Sequence, residues 1–366
     1  VNGNLRSLEC RAARQQVAHR VLFLLLTLPY GNIFFEWYNI AMDKLKILFM
    51  GTPEFGATIL HALATASHFE VTGVVTQPDR PAGRKNQLSP PPVKVAAQEL
   101  GLPLMQVERL RNPAVQAQLL EFSAGAEIFV VAAFGLILPV AILNMPRLGC
   151  INVHGSLLPE YRGASPVAQA ILDGKNETGV TIMLMDKGLD TGPMLSKVAI
   201  PIAPEDTQPC LMDKLAKSGA TLLLDTLPRW VAGQITPEKQ DDIYASITGI
   251  IKKEYGLIDW SKTAVSIECM TRAYYPWPGT YTFWQGQNLK ITGATAFQEE
   301  VAESVAPGTV LLARVEGKER VLIATGKGWL APGELQLPGK KAIPALEFVK
   351  GQRAIIGARL GHGQEA

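Results

Sequence analysis

The sequence predicts an α/β protein in which an open, parallel-rich sheet covered by helices is followed by a small β-barrel. Three observations carry this expectation. From Lys44 onward, short apolar runs alternate with segments of helical period, the signature of βα units. After about Thr236 the texture changes to short β-type runs separated by Gly and Pro turns. Finally, 366 residues that are 47% hydrophobic and 19% charged can fill cores for roughly two domains and do not fit a disordered scaffold. Thirty-five Lys and Arg against 33 Asp and Glu leave a net charge of +2, so any nucleic-acid contact must come from a local patch.

The elements follow in order. Residues 1–41 read as an extension outside the fold: an Arg-bearing start, then an apolar run, Val21 to Leu28, cut at Pro29-Tyr30-Gly31. That run is shorter than the ~20 residues of a membrane span. Its outline is that of a secretory signal, but Glu36 and Trp37 follow it and no small-x-small cleavage site is visible; a transit peptide is also permitted. Residues 42–235 are expected to form the first domain. Leu45–Met50 reads as a buried strand, Gly51-Thr52-Pro53 as a turn, and Phe55, Ile59, Leu60 and Leu63 as one face of a helix. Further strands are expected at 71–76, 128–133, 150–153 and 180–185, and helices at 93–100, 113–122 and 166–172. Residues 236–253 read as a polar linker. In 254–360 one helix, 262–274, accompanies strands at 280–284, 289–292, 309–312, 320–325 and 335–337, fitting a barrel of the oligonucleotide-binding kind.

Several chemistries are disfavoured. Cys10, Cys150, Cys210 and Cys269 form no CxxC pair and read as reduced thiols, and the five His show no HExxH, so no metal is expected. Gly51-Thr52-Pro53-Glu54-Phe55-Gly56 sits where a dinucleotide fingerprint would, yet it is not GxGxxG, which disfavours a nicotinamide enzyme.

The most informative stretch is Cys150 to Gly163. Asn152 and His154 are two apart at a strand end and share a face, while Ile151 and Val153 pack on the other. Open α/β sheets bind ligands beyond the carboxyl ends of their strands. Residues 164–190 allow a helix and a return strand, and a right-handed crossover would make that strand a sheet neighbour and bring Asp190 to the same crevice. An amide, an imidazole and a carboxylate together suit acyl transfer. A lone His at a strand end is more often a structural hydrogen-bonder, and Asp-Thr-Gly is an ordinary turn, so geometry has to decide. Ser156 with His154 and Asp190 would mimic a hydrolase triad, but there is no GxSxG elbow.

Residues 77–92 form a long, Pro-stiffened segment in which Arg80, Arg84 and Lys85 stand against Asp79, a composition suited to phosphate contact. A solvated surface loop fits it equally well. Lys340, Lys341, Lys350, Arg353 and Arg359 form a second basic cluster opposed by Glu347.

The motifs in combination identify a resemblance. Phe49-Met-Gly-Thr-Pro-Glu-Phe55, Thr76-Gln-Pro-Asp-Arg-Pro-Ala-Gly-Arg84, Asn152-Val-His-Gly-Ser-Leu-Leu-Pro159, Tyr161-Arg-Gly163, Gly188-Leu-Asp-Thr-Gly192 and Pro276-Trp-Pro-Gly279 resemble the methionyl-tRNA formyltransferase family from Lys44 to about Leu360. The resemblance implies a Rossmann-like formyltransferase domain followed by a tRNA-binding OB-like barrel. It implies 10-formyltetrahydrofolate as formyl donor without a metal, initiator methionyl-tRNA as acceptor, a monomer, and a bacterial cytoplasmic or, with a transit peptide, organellar setting. It also implies that Asn152, His154 and Asp190 are catalytic. Ser156, Leu157, Leu158 and Pro159, through their backbone, and Phe134, Gly135, Leu136 and Ile137 would hold the folate. Arg80, Arg84 and Lys85 would meet the tRNA acceptor end. Lys85-Asn86-Gln87 replaces a glycine and more basic residues common in some members. Glycinamide ribonucleotide and sugar-nucleotide formyltransferases, formyltetrahydrofolate hydrolase and a catalytically silent tRNA-binding module are the alternatives.

Overall fold

The computed structural model describes residues 44–82, 87–123 and 125–361; the expected extension at 1–41 lies outside them. The first core is built on a seven-stranded sheet. In chain order its part of the molecule contains β1 (Leu45–Gly51), α1 (Glu54–Thr65), β2 (Phe69–Thr76), the hairpin β3 (Arg80–Ala82) and β4 (Gln87–Ser89), α2 (Pro92–Glu99), β5 (Leu104–Gln106) and α3 (Pro113–Phe122). There follow β6 (Ile128–Ala132), α4 (Val140–Leu143), β7 (Cys150–His154), β8 (Arg162–Gly163), α5 (Pro166–Leu172), β9 (Glu177–Leu184), β10 (Met194–Pro201) and α6 (Gln208–Val231).

The sheet order is β10-β9-β7-β6-β1-β2-β5. The five strands from β7 to β5 pair in parallel, whereas β9 runs antiparallel to β7 and β10 antiparallel to β9. The return strand expected from the sequence is therefore a neighbour of β7 but runs the opposite way, so the right-handed crossover rule, which governs parallel pairs, does not apply to it.

Strand alternation divides the sheet between two cores. Ile47, Phe49, Ile128, Val130, Ile151 and Val153 enter one face, and Leu48, Met50, Phe129, Val131 and Cys150 enter the other. The longest helix among the described residues, α6, is absent from the elements expected from the sequence. It presents Leu211, Leu215, Leu223 and Leu227, all buried, to the first face. Burying each such side chain is worth roughly 1.5–3 kcal/mol, more than the local propensity costs of its polar residues. Gly219 lies over Val153 and Val180, where a Cβ would stand 3.1 Å from the Val153 side chain, so α6 seats directly against the back of β7.

The second core forms around β12 (Thr280–Trp284), β13 (Gln287–Phe297), β14 (Val310–Val315), β15 (Lys318–Ala324) and β16 (Trp329–Gln336). Before them, β11 (Ile247–Thr248) pairs with β8, and α7 (Ala264–Ala273) begins at Thr263, whose hydroxyl accepts from Ser266 N. The strand order is β12-β13-β16-β15-β14, with β17 (Ile343–Pro344) beside β16 and α8 (Ala345–Gly351) over the core. Residues 357–361 close it: Val310 N donates to Ala358 O at 2.9 Å, and Phe283 N donates to Gly361 O at 3.0 Å. The edges at β14 and β12 are thus joined, giving the expected barrel. The strands are longer than the short runs read from sequence, most visibly β13 and β16. The first core meets the second where α5 packs on α7 and the Arg272 guanidinium donates to Asp206 O at 3.1 Å.

Candidate active site

Strand order reverses between β1 and β6: β2 and β5 extend one way from β1, while β7 and β9 continue the other way from β6. This is the switch point at which open α/β sheets form a crevice. Thr52 Oγ1 donates to Phe134 O at 2.8 Å and ties the segments leaving β1 and β6 together there. Beside them β7 ends. Cys150 starts that strand in the core, and Asn152 and His154 continue its face beyond the core into the crevice.

His154 is 6% exposed, and its Nε2 donates to Tyr161 O at 2.9 Å, which leaves Nδ1 facing Asp190 Oδ2 at 3.7 Å. Tyr161 reaches this position because residues 155–163 fold back on themselves. Ser156 Oγ donates to Glu160 O, Leu158 N donates to Thr181 Oγ1, and Thr181 Oγ1 donates to Ser156 O. The Leu158–Pro159 peptide is cis. With its hydroxyl engaged by Glu160, and both ring nitrogens of His154 turned to Tyr161 and Asp190, Ser156 does not form the hydrolase triad considered above.

Asp190 arrives by a route the sequence did not suggest. Residues 185–193 leave the sheet beside Ile151, where Leu184 is paired, and re-enter at Met194, opposite Met183. Within that excursion Asp190 takes a left-handed backbone, φ 52°. Its Oδ2 accepts from Gly163 N at 2.8 Å and its Oδ1 accepts from Asn152 Nδ2 at 3.4 Å. The structure therefore brings Asn152, His154 and Asp190 to one point: an amide and an imidazole on adjacent same-face positions, with a carboxylate touching the first and facing the second.

The residues expected around a donor are in two places. Phe134 is buried, its carbonyl accepts from Thr52 Oγ1 and from Gln77 Nε2 at 2.9 Å, and Gly135 is left-handed at φ 78°. A Cβ on Gly135 would meet Gln77 Nε2 at 2.6 Å, so this turn accepts only glycine without displacing Gln77. Leu136 is half-buried and Ile137 is exposed. On the other side Leu158 is buried with Met183 and Met194, and Leu157 packs over Gly179, so those two side chains are engaged in packing.

In the cationic segment Arg80 opens β3 and lies at the surface, while Arg84 and Lys85 lie outside the described residues. Within it β3 and β4 pair antiparallel, with Arg80 opposite Ser89 and Pro81 opposite Leu88. Its root is clasped: Lys94 Nζ donates to both oxygens of Asp79 at 2.8 Å, and Gln106 Nε2 donates to Asp79 Oδ1 and to Gln77 O. The Lys94 hydrogen bond, then that of Gln106, holds the Asp79 carboxyl below the usual carboxylate range. In the second basic cluster, Lys350 pairs with Glu347 at 3.4 Å and Arg359 Nε donates to Pro307 O.

Sequence reasoning missed the residues that frame the crevice from behind. Gln240 Nε2 donates to Asp190 O at 2.8 Å and to Gly192 O at 2.7 Å, and its Oε1 accepts from Arg162 Nε at 3.0 Å. Ser246 Oγ accepts from Tyr161 N, and Thr248 Oγ1 accepts from Ser165 N and donates to Arg162 O. All lie in the stretch read as a polar linker, where Lys239-Gln240-Asp241-Asp242 gives no periodic signal that one side chain points inward.

The description Formyl transferase matches residues 44–227, and Formyl transferase, C-terminal domain, matches residues 250–353. The chain belongs to the formyl transferase family. Among its relatives, a methionyl-tRNA formyltransferase of Geobacter sulfurreducens is 44% identical over 87% of this chain and 98% of its own. One of Geotalea daltonii is 46% identical over 88% of this chain and 100% of its own. Among solved structures, the N-formyltransferase of Helicobacter canadensis, in complex with folinic acid and dTDP-3-aminofucose, has a TM-score of 0.57 at 20% identity, covering 79% of this chain and 98% of that one. HypX of Aquifex aeolicus, solved with tetrahydrofolic acid, has a TM-score of 0.54 at 15% identity over 84% of this chain and 47% of that one. At these identities the likeness is one of fold. As a formyl transferase, the chain pairs its sheet-based core with the barrel. Among the described residues no group of three or more His, Cys, Asp or Glu is placed to hold a metal ion, and no helix is long and apolar enough to cross a membrane.

Proposed function

We propose that this formyl transferase moves the formyl group of 10-formyltetrahydrofolate to the amino group of methionyl-tRNA for translation initiation, with Asn152, His154 and Asp190 as the catalytic residues. The reading is supported above all by identity of 44–46% to methionyl-tRNA formyltransferases along nearly their whole length. The convergence of the three polar side chains at the switch-point crevice supports their roles.

The donor supplies an activated formyl carbon; the acceptor amine adds to it to give a tetrahedral intermediate whose oxygen carries negative charge, and collapse of that intermediate breaks the C–N bond to the folate, the proton lost by the amine passing to the departing nitrogen. The chain's contribution is positional and electrostatic. The Asn152 amide has two N–H donors, of which the Asp190 contact uses one; the other meets the oxygen that gains negative charge. His154 Nε2–H is held by Tyr161 O, so Nδ1 is the ring atom that exchanges a proton at the reacting centre. Asp190 faces Nδ1 and takes the amine proton directly or through water. Gly163 N, donating to Asp190 Oδ2, keeps that carboxylate aimed inward.

The turn Phe134–Ile137 and the backbone of Ser156, Leu157, Leu158 and Pro159 hold the donor, the left-handed Gly135 letting Gln77 close against the turn. Arg80, with Arg84 and Lys85, meets acceptor-end phosphates, and the 254–360 barrel grips the acceptor arm. The protein acts as a monomer in a bacterial cytoplasm, or in an organelle if residues 1–41 are a transit peptide.

One assay tests the reading: purified protein, labelled 10-formyltetrahydrofolate, and charged initiator tRNA, free methionine, a sugar nucleotide or water as acceptor. Label is expected on methionyl-tRNA alone. Transfer to the sugar nucleotide or to water in preference overturns it.

A further inference from the structure

Asp190 has a left-handed backbone, and the residue that fixes it comes from a segment 50 positions away in the chain. Gln240 is 4% exposed. Its amide nitrogen has two hydrogens and donates to two carbonyls of the Asp190 loop, those of Asp190 and Gly192. Its amide oxygen accepts from Arg162 Nε, and the Arg162 guanidinium also pairs with Asp242 at 2.8 Å. The side chain is thus fully engaged. It joins the loop bearing the carboxylate to the strand β8, whose Gly163 N–H aims that carboxylate.

The geometry points to Gln240 as a positioning residue for Asp190, delivered by the chain segment that leads to the barrel. This rests on the catalytic reading of Asp190 given above. Two features separate this role from ordinary packing. The contacts are polar and directional, and they fall on the backbone of the residue whose side chain faces His154. Neighbouring positions on the same segment supply further backbone clamps: Ser246 at Tyr161 N and Thr248 at Arg162 O and Ser165 N. The crevice is consequently incomplete without residues 240–248. Moving Asp190 by about 1 Å, with the rest of the crevice intact, is enough to cost ~10²-fold in rate.

The test is a double-mutant cycle on the full chain, reading kcat and both KM values for wild type, Gln240→Ala, Asp190→Asn and the double variant. Gln240→Ala is expected to lower kcat by ~10–10²-fold with the KM values for donor and charged tRNA within about twofold. In the Asp190→Asn background the same change is expected to cost under about twofold. Gln240→Glu, close to the same shape but presenting an acceptor oxygen to two carbonyls, is expected to show the same kcat loss and decides the matter if the Ala variant does not fold. Equal losses from Gln240→Ala in both backgrounds overturn the positioning role alone. Wild-type kcat in Asp190→Asn overturns the catalytic reading and this proposal with it.

Discussion

Asn152 and His154 stand on β7, and Asp190 stands on the 185–193 excursion; the two are held by opposite means. On β7 the backbone is a regular strand paired on both sides, and α6 presses on its back through Gly219. Period-two alternation then aims both side chains without further help. The excursion has no ladder. Its shape rests on single contacts: within it, Asp186 Oδ1 accepts from Gly188 N and Thr191 Oγ1, and from remote segments come Gly163 N on the carboxylate and Gln240 on two carbonyls. Two of three polar groups in the crevice are therefore placed by secondary structure, and the third by individual hydrogen bonds from elsewhere in the chain. The strand should tolerate loss of a functional side chain, whereas the excursion should be sensitive to changes that never touch the reacting atoms.

The largest expected effect is on the strand. Asn152→Ala removes the donor proposed for the developing oxyanion and is expected to lower single-turnover transfer by ~10²–10³-fold. The variant should stay folded, since Asn152 lies at the rim of the core; circular dichroism and thermal melting check that. Near-normal transfer would remove Asn152 from the chemistry.

Next comes the clamp side. Gly163 is left-handed at φ 105°, and a Cβ there would collide with Thr248 O. Gly163→Ala is expected to lose about 1–3 kcal/mol of stability from backbone strain, together with activity, measured by denaturant unfolding and turnover. Unchanged stability would show that the β8–β11 pairing is not needed to seat the loop.

A smaller effect concerns the root of the hairpin. Asp79 has its carboxyl pKa lowered by Lys94, so its contribution to stability is complete above the ordinary carboxylate value and is lost as pH falls through the lowered folded value. Comparing thermal melts of wild type and Asp79→Asn between pH 7 and pH 3 should show the difference narrowing at the acid end. A constant gap would show that the clasp does not depend on the carboxylate charge.

The smallest concerns β7 again. Burial pushes the Cys150 thiol up to about 12, while Cys210 is exposed. Alkylation of native protein at pH 8, followed by peptide mass mapping, should label Cys210 and spare Cys150. Rapid labelling of Cys150 would mean that the strand's core end opens.

This contrast also explains what was legible beforehand. Apolar runs such as Leu45–Met50 and Ile128–Ala133 announce buried parallel strands, because both faces are covered and the run is nearly continuous. The spacing of Asn152 and His154 is readable for the same reason. Other features follow from tertiary contacts. Whether β9 runs with or against β7 depends on how the chain returns, which no local pattern encodes. α6 is the exception, for its buried side, Leu211, Leu215, Ala216, Ala220, Leu223 and Leu227, repeats at helical spacing and was readable in the sequence. Gln240 is illegible because nothing in its neighbours distinguishes an inward glutamine from a solvated one; it is defined by the two carbonyls it finds.

The barrel's seam has a practical corollary. Residues 357–361 pair with the outer edge of β14 and, beside Ile258 N at Tyr281 O, with that of β12, and open strand edges act as templates for pairing between molecules. Those few residues therefore guard solubility as much as shape. A truncation or fusion junction placed before residue 357 would uncover the β14 edge and invite self-association.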